Sequence, residues 1–360
     1  MTLKYNDYRR HSREIRVGGI IIGGDAPISI QSMTNTDTHD IEATYRQTLA
    51  LANAGCDVVR ITAPDEESVR VFSELKKRGI TTPLVADIHF NYKIAIKAAT
   101  SGADKIRINP GNIGSKDKVR EVVAACREMG VPIRIGVNSG SLEESILKKY
   151  GSPTAEALAE SALYHASLLE ELDFRNIALS VKSSDTRTMI MANKILAEKT
   201  EYPLHLGVTE AGAANRALIK SSIGVGSLLS EGIGDTVRIS LTDDPVNEIA
   251  AARAILDSLG ISENPGMDIV SCPTCGRTSI DLINLLSEFE SRAKAEGLER
   301  KNIKVALMGC AVNGPGEARE ADIGIAGGKG EALLFKKGEI IRKIKEKDII
   351  NELIVEIKEM

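Results

Sequence analysis

The stretch EESVRVFSELKKRGITTPLVADIHF, residues 66–90, contains the unit from which most of the chain is built. Its first half places apolar residues at helical spacing and ends on Gly79, a residue that easily adopts the left-handed conformation of a helix cap. Its second half is a short apolar run that ends in polar residues, which is typical of a buried strand. The stretch therefore predicts a helix, a glycine turn and a strand in succession.

The same unit recurs along the chain. Eight short apolar runs are separated by helical patterns such as KDKVREVVAACREMG, and they cover residues 28–34, 57–62, 83–90, 105–112, 132–139, 177–184, 203–210 and 236–242. An open doubly wound sheet could share this alternation, but eight units favour closure into a (β/α)8 TIM barrel. The fold class predicted for this part is therefore α/β.

The pattern changes near residue 263. From there the sequence reads as a strand, a helix, a strand, a β-hairpin and a final helix, which predicts a small α+β module. We expect two domains, residues 1–262 and 263–360. The first would carry the substrate site of a TIM barrel, and the second holds three of the five cysteines.

Composition excludes several classes of protein. Hydrophobic residues make up 42% and charged residues 27% of the chain, which is ordinary for a globular protein. A net charge of −4, no tryptophan and 3% aromatic residues give no reason to expect nucleic-acid binding. The polar N-terminal segment lacks the apolar core of a signal peptide, so we expect a cytoplasmic protein without membrane spans.

Five cationic residues lie within or at the ends of the predicted strands: Arg60, Arg107, Arg134, Lys182 and Arg238. Catalytic groups of TIM barrels sit at the carboxyl ends of the strands, and a buried charge without a partner costs several kcal/mol. The available carboxylates are Asp87 and Glu210, which are too few to neutralise the set. The excess predicts a phosphate or diphosphate ligand, although a single cation could instead extend outward at the rim.

Other polar residues follow the same strands. Asn138, Ser183 and Ser240 are hydrogen-bonding candidates at strand ends, and His89 shares a strand face with Asp87. His89 could orient a substrate oxygen or move a proton, or could be structural. His205 lies earlier in its strand and reads as a core residue. His11, His39 and His165 read as surface or loop residues.

Cys272 and Cys275 lie in SCPTCGR, and Cys310 lies in GCAVNGPGE. A redox pair would not need Cys310, and a structural zinc site usually has four Cys or His ligands, whereas no histidine follows His205. Three thiolates can hold an iron–sulfur cubane and leave its fourth iron to an oxygen ligand. The pattern favours such a cluster over zinc.

The odd number of cysteines argues against a disulfide framework. Cys56 and Cys126 have apolar neighbours in the sequence, and we expect both to be buried packing residues.

Several segments together resemble one family. They are IQSMTNTDT, SVKSSD, HLGVTEAG, VRISLT, CAVNGPGEA and the cysteine segment SCPTCGR. In order and over nearly the whole chain, they are similar to the bacterial two-domain form of 4-hydroxy-3-methylbut-2-en-1-yl diphosphate synthase, an oxidoreductase of the non-mevalonate pathway of isoprenoid biosynthesis. The resemblance implies a TIM barrel followed by a small ferredoxin- or sulfite-reductase-like iron–sulfur domain.

The resemblance also implies site residues. A 4Fe-4S cluster would be held by Cys272, Cys275, Cys310 and Glu317, and Glu210 would be the catalytic proton donor. The substrate, 2-C-methyl-D-erythritol 2,4-cyclodiphosphate, would contact Arg60, His89, Arg107, Arg134, Asn138, Lys182, Arg238 and Ser240. Flavodoxin or ferredoxin would supply two electrons, and the family implies a head-to-tail homodimer.

Two other readings fit parts of the sequence. A phosphosugar or pterin-type barrel enzyme could carry a merely structural metal in its small domain, and would turn over without a reductant. An electron carrier or scaffold with a vestigial barrel would not need the strand-end cations.

Overall fold

A computed structural model describes residues 5–310 and 320–360. The chain divides into two compact units, residues 1–262 and 263–360. None of the helices described is both long and apolar enough to cross a lipid bilayer.

Ten strands lie in the first unit: β1 (Ile15–Val17), β2 (Ile20–Ile22), β3 (Ser29–Met33), β4 (Val58–Thr62), β5 (Leu84–Asp87), β6 (Lys105–Ile108), β7 (Ile133–Asn138), β8 (Ile177–Lys182), β9 (His205–Leu206) and β10 (Thr236–Val237). The last eight form one sheet in the order β8-β7-β6-β5-β4-β3-β10-β9 with parallel pairs. A parallel bridge between Leu179 and Leu204 joins the two ends and closes the barrel. The predicted TIM barrel is confirmed, and the open sheet is excluded.

The helices of this unit are α1 (Tyr5–Tyr8), α2 (Ile41–Asn53), α3 (Arg70–Lys77), α4 (Tyr92–Thr100), α5 (Pro110–Ile113), α6 (Lys116–Glu128), α7 (Glu144–Tyr150), α8 (Ala155–Glu170), α9 (Thr186–Lys199), α10 (Ala214–Ser230) and α11 (Pro245–Ser258). The opening stretch of sequence forms α3 and β5. Between them Gly79 has a φ of +88°, which glycine adopts without strain. Val71, Phe72 and Leu75 of α3 are fully buried in the core between helices and sheet.

The β1–β2 hairpin, which the sequence analysis did not predict, closes the lower end of the barrel. Its buried side chains pack against residues near the starts of barrel strands; the cluster comprises Ile15, Val17, Ile22, Val58, Val85 and Ala178. Because those strand positions lie at the amino-terminal end of the barrel, the hairpin fills the floor. The hairpin therefore covers the end of the barrel opposite the carboxyl ends of the strands.

Asp235 fastens the N-terminal segment to the barrel. Its buried carboxylate pairs with Arg9 Nη2 at 2.9 Å and accepts hydrogen bonds from Ser12 Oγ at 2.7 Å and from the Leu204 backbone N–H at 2.8 Å. Arg10 Nη2 lies 3.6 Å from the other carboxylate oxygen. A buried charge with this many partners is a structural feature, because each donor offsets part of the cost of burying it.

The second unit contains one five-stranded sheet in sequence order. Its elements are β11 (Asp268–Ser271), α12 (Leu282–Ala295), β12 (Lys304–Met308), β13 (Ile323–Gly327), β14 (Glu331–Lys336), β15 (Glu339–Lys345) and α13 (Ile349–Lys358). The segment predicted as one hairpin forms three strands, β13 to β15, because two tight turns rather than one interrupt it. Its first strand pairs with β12 in parallel, and its other pairs are antiparallel.

Candidate active site

The predicted cations converge inside the barrel. Successive residues of a strand point to opposite faces, so while Val59 and Ile61 pack outward, Arg60 between them points inward. One cavity of about 90 Å³ is lined by Arg60, Asp87, His89, Arg107, Arg134, Gly136, Asn138, Ser180, Lys182, Thr209 and Arg238. Arg134 is only 1% exposed and Lys182 only 4%.

Asp87, at the end of β5, neutralises two of these cations. One of its carboxylate oxygens lies 3.2 Å from Arg107 Nη1, and the other lies 3.8 Å from Arg60 Nε. Burial opposes ionisation of Asp87, but Arg60 and Arg107 outweigh it and hold the pKa of this carboxyl well below its usual range. Asp87 is therefore ionised and orients both guanidinium groups.

The remaining cations have buried donors without partners among the residues that the structure describes. These donor atoms are Arg134 Nε and Nη2, Lys182 Nζ and Arg238 Nε. Burial, followed by repulsion from Arg238 and Arg60, lowers the pKa of Lys182 well below its ordinary value. Burial, and then repulsion from Arg60, lowers the pKa of Arg238 to about 10. A polyanion bound in this cavity would supply the missing acceptors and charge.

The structure adds residues that the sequence analysis did not single out. Met33 Sδ accepts hydrogen bonds from Arg60 Nε at 3.2 Å and Nη2 at 2.8 Å, and thioether sulfur is a weak acceptor. Gly136 leaves room for Arg107, because a Cβ there would lie 2.5 Å from its Nε. Lys105 and Ser180 lie two residues before Arg107 and Lys182, so strand alternation was the signal that could have found them.

Glu210 and His89 lie at the exposed edge of the site. Glu210 follows Thr209, which lines the cavity, but is itself exposed and does not line it. Its φ is +51°, a conformation that is uncommon for a residue with a side chain and is often found at functional sites. His89 is exposed and lines the cavity two residues beyond Asp87.

Three other residues complete the comparison with the sequence predictions at the barrel. Ser240 Oγ is buried without a partner among the described residues and does not line the cavity. His205 is buried, as expected for a core residue. The interpretation of His165 as a surface or loop residue is wrong, because this residue is buried on α8, where its Nε2 contacts the Glu143 carboxylate.

The cysteines of the second unit lie at the carboxyl ends of two neighbouring strands. Cys272 directly follows β11, and Cys310 lies two residues after β12; the two strands are parallel, with Ser271 opposite Leu307. The Gly309 N–H donates a hydrogen bond to Cys272 Sγ at 3.3 Å. Such bonds stabilise a thiolate and tune metal–sulfur centres.

Cys275 lies between β11 and α12 and is exposed. A hydrogen bond from the Arg277 backbone lowers the pKa of Cys275, which favours the thiolate that metals bind. Within residues 5–310 and 320–360, no three Cys, His, Asp or Glu side chains form a ready-made metal site. The donor chemistry of the three thiols nevertheless suits an iron–sulfur group, and Glu317 lies outside the described residues.

The other two cysteines are of a different kind. Cys56 and Cys126 are buried, and burial raises the pKa of each thiol to about 12. Both are packing residues of the barrel unit, and the prediction of their burial is confirmed.

Comparisons with known proteins agree with this arrangement. The chain matches the GcpE TIM-barrel domain over residues 12–253 and the GcpE protein C-terminal domain over residues 268–359. It is 58% identical over 346 residues to 4-hydroxy-3-methylbut-2-en-1-yl diphosphate synthase (flavodoxin) of Clostridium perfringens (strain 13 / Type A), with 96% of this chain and 98% of that protein covered.

A relative with the same name, from Ruminiclostridium cellulolyticum, is 55% identical over 352 residues, with 98% of each chain covered. Among solved structures, dihydropteroate synthase from Stenotrophomonas maltophilia has a TM-score of 0.51 at 16% identity, covering 68% of this chain and 98% of that one, which shows a shared barrel fold alone. The identity to the named relatives and the two successive family matches leave one conclusion: the chain belongs to the 4-hydroxy-3-methylbut-2-en-1-yl diphosphate synthase (flavodoxin) family.

Proposed function

We propose that this protein is the iron–sulfur oxidoreductase that opens the ring of 2-C-methyl-D-erythritol 2,4-cyclodiphosphate in the non-mevalonate pathway. Two electrons and two protons convert the substrate to 4-hydroxy-3-methylbut-2-enyl diphosphate and water. Identity of 58% over nearly the full length of a named synthase supports the assignment. The observation that carries it is the buried cavity with more cations than carboxylates.

The barrel cations would bind the diphosphate. Arg134, Lys182 and Arg238 have donors without partners in the described part of the chain, whereas Arg60 and Arg107 are already oriented by Asp87. Bidentate guanidinium–phosphate bonds fix the ligand, and fixed positive charge stabilises the diphosphate oxygen that leaves when the ring C–O bond breaks. Asn138 and Ser240 would add neutral hydrogen bonds.

Protons would enter from the exposed edge of the site. Glu210 can exchange protons with solvent, and a carboxylic acid there would protonate the departing hydroxyl. His89 lines the same cavity and would orient a substrate oxygen.

The second unit would hold the 4Fe-4S cluster through Cys272, Cys275, Cys310 and Glu317. When bound, such a cluster supplies single electrons and a Lewis-acidic iron. The chain's own contribution is a set of thiolates stabilised by the Gly309 and Arg277 backbone N–H groups. We assign residues 1–262 to substrate binding and residues 263–360 to the cluster.

Two partners follow from this proposal. The relatives' names specify flavodoxin, and ferredoxin is the other carrier able to deliver single electrons. We also propose a head-to-tail homodimer, in which the cluster unit of one subunit serves the barrel of the other. Sedimentation of the fully active enzyme as a monomer would overturn the dimer.

The test is an anaerobic assay on the cyclic diphosphate, with and without reduced flavodoxin, alongside iron and sulfide analysis. Cys275→Ser should lose iron and lower turnover at least about a thousandfold, since the weaker oxygen ligand holds the cluster poorly. Cys126→Ser is the matched control, because Cys126 is buried in the barrel unit, and it should retain iron. Turnover that needs no reductant, or an iron-free active enzyme, would sink the proposal.

A further inference from the structure

Lys105 is a deeply buried lysine of the barrel that does not line the cation cavity. It is the first residue of β6 and lies two positions before Arg107, so its side chain points into the barrel below that arginine. It is only 1% exposed and is among the largest fully buried side chains of the described residues. A lysine so deep in a barrel interior normally has a carboxylate partner.

No such partner is present among the described side chains. The charged groups that act on Lys105 are Arg134 on β7 and Arg60 on β4, both cations. Asp87 on β5 is engaged by Arg60 and Arg107, and His205 on β9 is neutral because burial, with nearby cations, lowers its pKa. The other cations of the interior are Lys182 on β8 and Arg238 after β10.

This crowding of like charge can be relieved only at the lysines. Arginine does not give up its proton in proteins, whereas a lysine readily does when it is buried. Burial, followed by repulsion from Arg134 and Arg60, lowers the pKa of Lys105 to about 7. Lys182 shares this behaviour, since burial and then Arg238 lower its pKa as well.

We propose that Lys105 takes up a proton when a diphosphate-class anion binds to the cations above it, so that ligand binding and protonation of the barrel interior are coupled. The identity of the anion rests on the proposed function; the coupling rests on the packing of Lys105 among cations. A bound polyanion neutralises Arg134 and Arg60, which removes the repulsion that keeps Lys105 neutral.

The coupling has a definite sign. Above about pH 7 the empty site lacks the proton that the occupied site holds, so binding consumes protons. Affinity for the anion must then fall as the pH rises. A site in which every cation keeps its proton would show no such dependence apart from the ligand's own titration.

Calorimetry with inorganic pyrophosphate measures this uptake directly. The anaerobically prepared holoenzyme is titrated at about pH 8 in two buffers with different ionisation enthalpies, and the difference in heat gives the protons bound. We expect about half to one proton less to be taken up by Lys105→Met than by the wild type, with further uptake on Lys182. Lys93→Met, on the exposed face of α4, should match the wild type.

Each outcome is decisive. Unchanged proton uptake in Lys105→Met overturns the coupling and leaves the proposed function intact, because protons released by pyrophosphate itself contribute equally in the two proteins. Absence of pyrophosphate binding overturns the coupling, whereas the proposed function is decided by the reductant-dependent assay on the cyclic diphosphate. If Lys105→Met fails to fold, Lys105→Arg takes its place: arginine keeps its proton throughout this pH range, so proton uptake should fall by a similar amount.

A folded Lys105→Met also provides an independent check. Losing a buried charge should raise its unfolding midpoint, and by more at low than at high pH. The reason is that the charged form of Lys105 is the one that burial penalises.

Discussion

The cation cavity and the cysteines of the second unit differ in how deeply their side chains are buried. Most of the cavity's side chains project from strands, and Arg134, Lys182 and Asp87 are almost fully buried. The cysteines sit just beyond strand ends, and Cys275 is exposed. One site lies in the barrel core, whereas the described part of the other, up to Cys310, lies in turns beyond strand ends.

This difference shows where the energetic cost of each site falls. The barrel must bury unpaired charge before any ligand arrives, so its packing energy carries that cost. The three cysteines of the second unit are exposed or half-buried, and thiols of this kind gain a fixed geometry from the metal that they bind. Substitutions in the cavity should therefore change ligand affinity and the free energy of unfolding independently of each other.

The largest effect is expected from Arg134→Met. Affinity for pyrophosphate should fall by about a hundredfold or more, because a buried charged donor is lost. The free energy of unfolding should stay the same or rise, because an unpaired buried cation is replaced by an apolar side chain of similar length. Calorimetry and urea unfolding at neutral pH measure the two quantities.

Arg9→Met is the matched control, because Arg9 is also a buried arginine but is paired with Asp235 at 2.9 Å. Its loss should lower the free energy of unfolding by about 3 kcal/mol while pyrophosphate affinity stays unchanged. If both variants were equally destabilised, the cavity cations would be structural and the contrast between the two sites would collapse.

Asp87→Asn should have the second largest effect. Unlike Arg134→Met, it should strengthen pyrophosphate binding. Because the pKa of Asp87 is depressed in the folded protein, its ionised form stabilises the fold at neutral pH, and this contribution is lost in acid. The variant should unfold about 2–3 kcal/mol more easily. It should nevertheless bind pyrophosphate about tenfold more tightly, since a like charge has been removed from beside the anion.

Asp244→Asn serves as the control for Asp87→Asn. Asp244 caps α11 through a hydrogen bond from the Val246 N–H at 2.9 Å, and asparagine caps helices equally well. Neither stability nor affinity should change by more than about 0.5 kcal/mol. Weaker pyrophosphate binding by Asp87→Asn would show that Asp87 positions the arginines more than it opposes the ligand.

The barrel could be predicted from the sequence because each strand repeats a strong local signal, an apolar run between helical patterns. The β1–β2 hairpin could not be predicted, because its strands have three residues each and its apolar side chains are buried only by packing against the end of the barrel. The extra strand of the second unit was missed for a related reason. Two turns close together, at Gly330 and Gly338, read as one.

At the site, the cations were predictable because charge inside an apolar run is rare. The carboxylate that pairs with them could not be predicted. The sequence contains both Asp87 and Glu210 near strand ends, and the backbone conformation determines which of the two side chains reaches the cations. Asp87 ends a buried strand, whereas Glu210 follows with a positive φ that leaves its side chain exposed. Lys105 was overlooked at the start of its strand, where polar residues usually face solvent.

A smaller effect on stability is expected at Glu143, in the segment that follows β7. Glu143 precedes α7 and lies five residues beyond Asn138; its carboxylate accepts a hydrogen bond from Ser161 Oγ at 2.8 Å and pairs with His165 Nε2. Burial opposes ionisation of Glu143, but the bonds from His165 and Ser161 outweigh it and lower its pKa from 4.5 to about 2.

Glu143→Gln should lower the free energy of unfolding by about 1 kcal/mol at neutral pH, because the amide keeps the shape but loses the charge. Since the folded-state pKa lies below the unfolded value, the stabilisation is complete above about pH 4.5 and disappears as the pH falls through about 2. The difference from wild type should therefore shrink in acid, while the exposed control Glu198→Gln shows none at any pH. A constant difference across that range would mean that packing rather than charge holds Glu143 and the start of α7 in place.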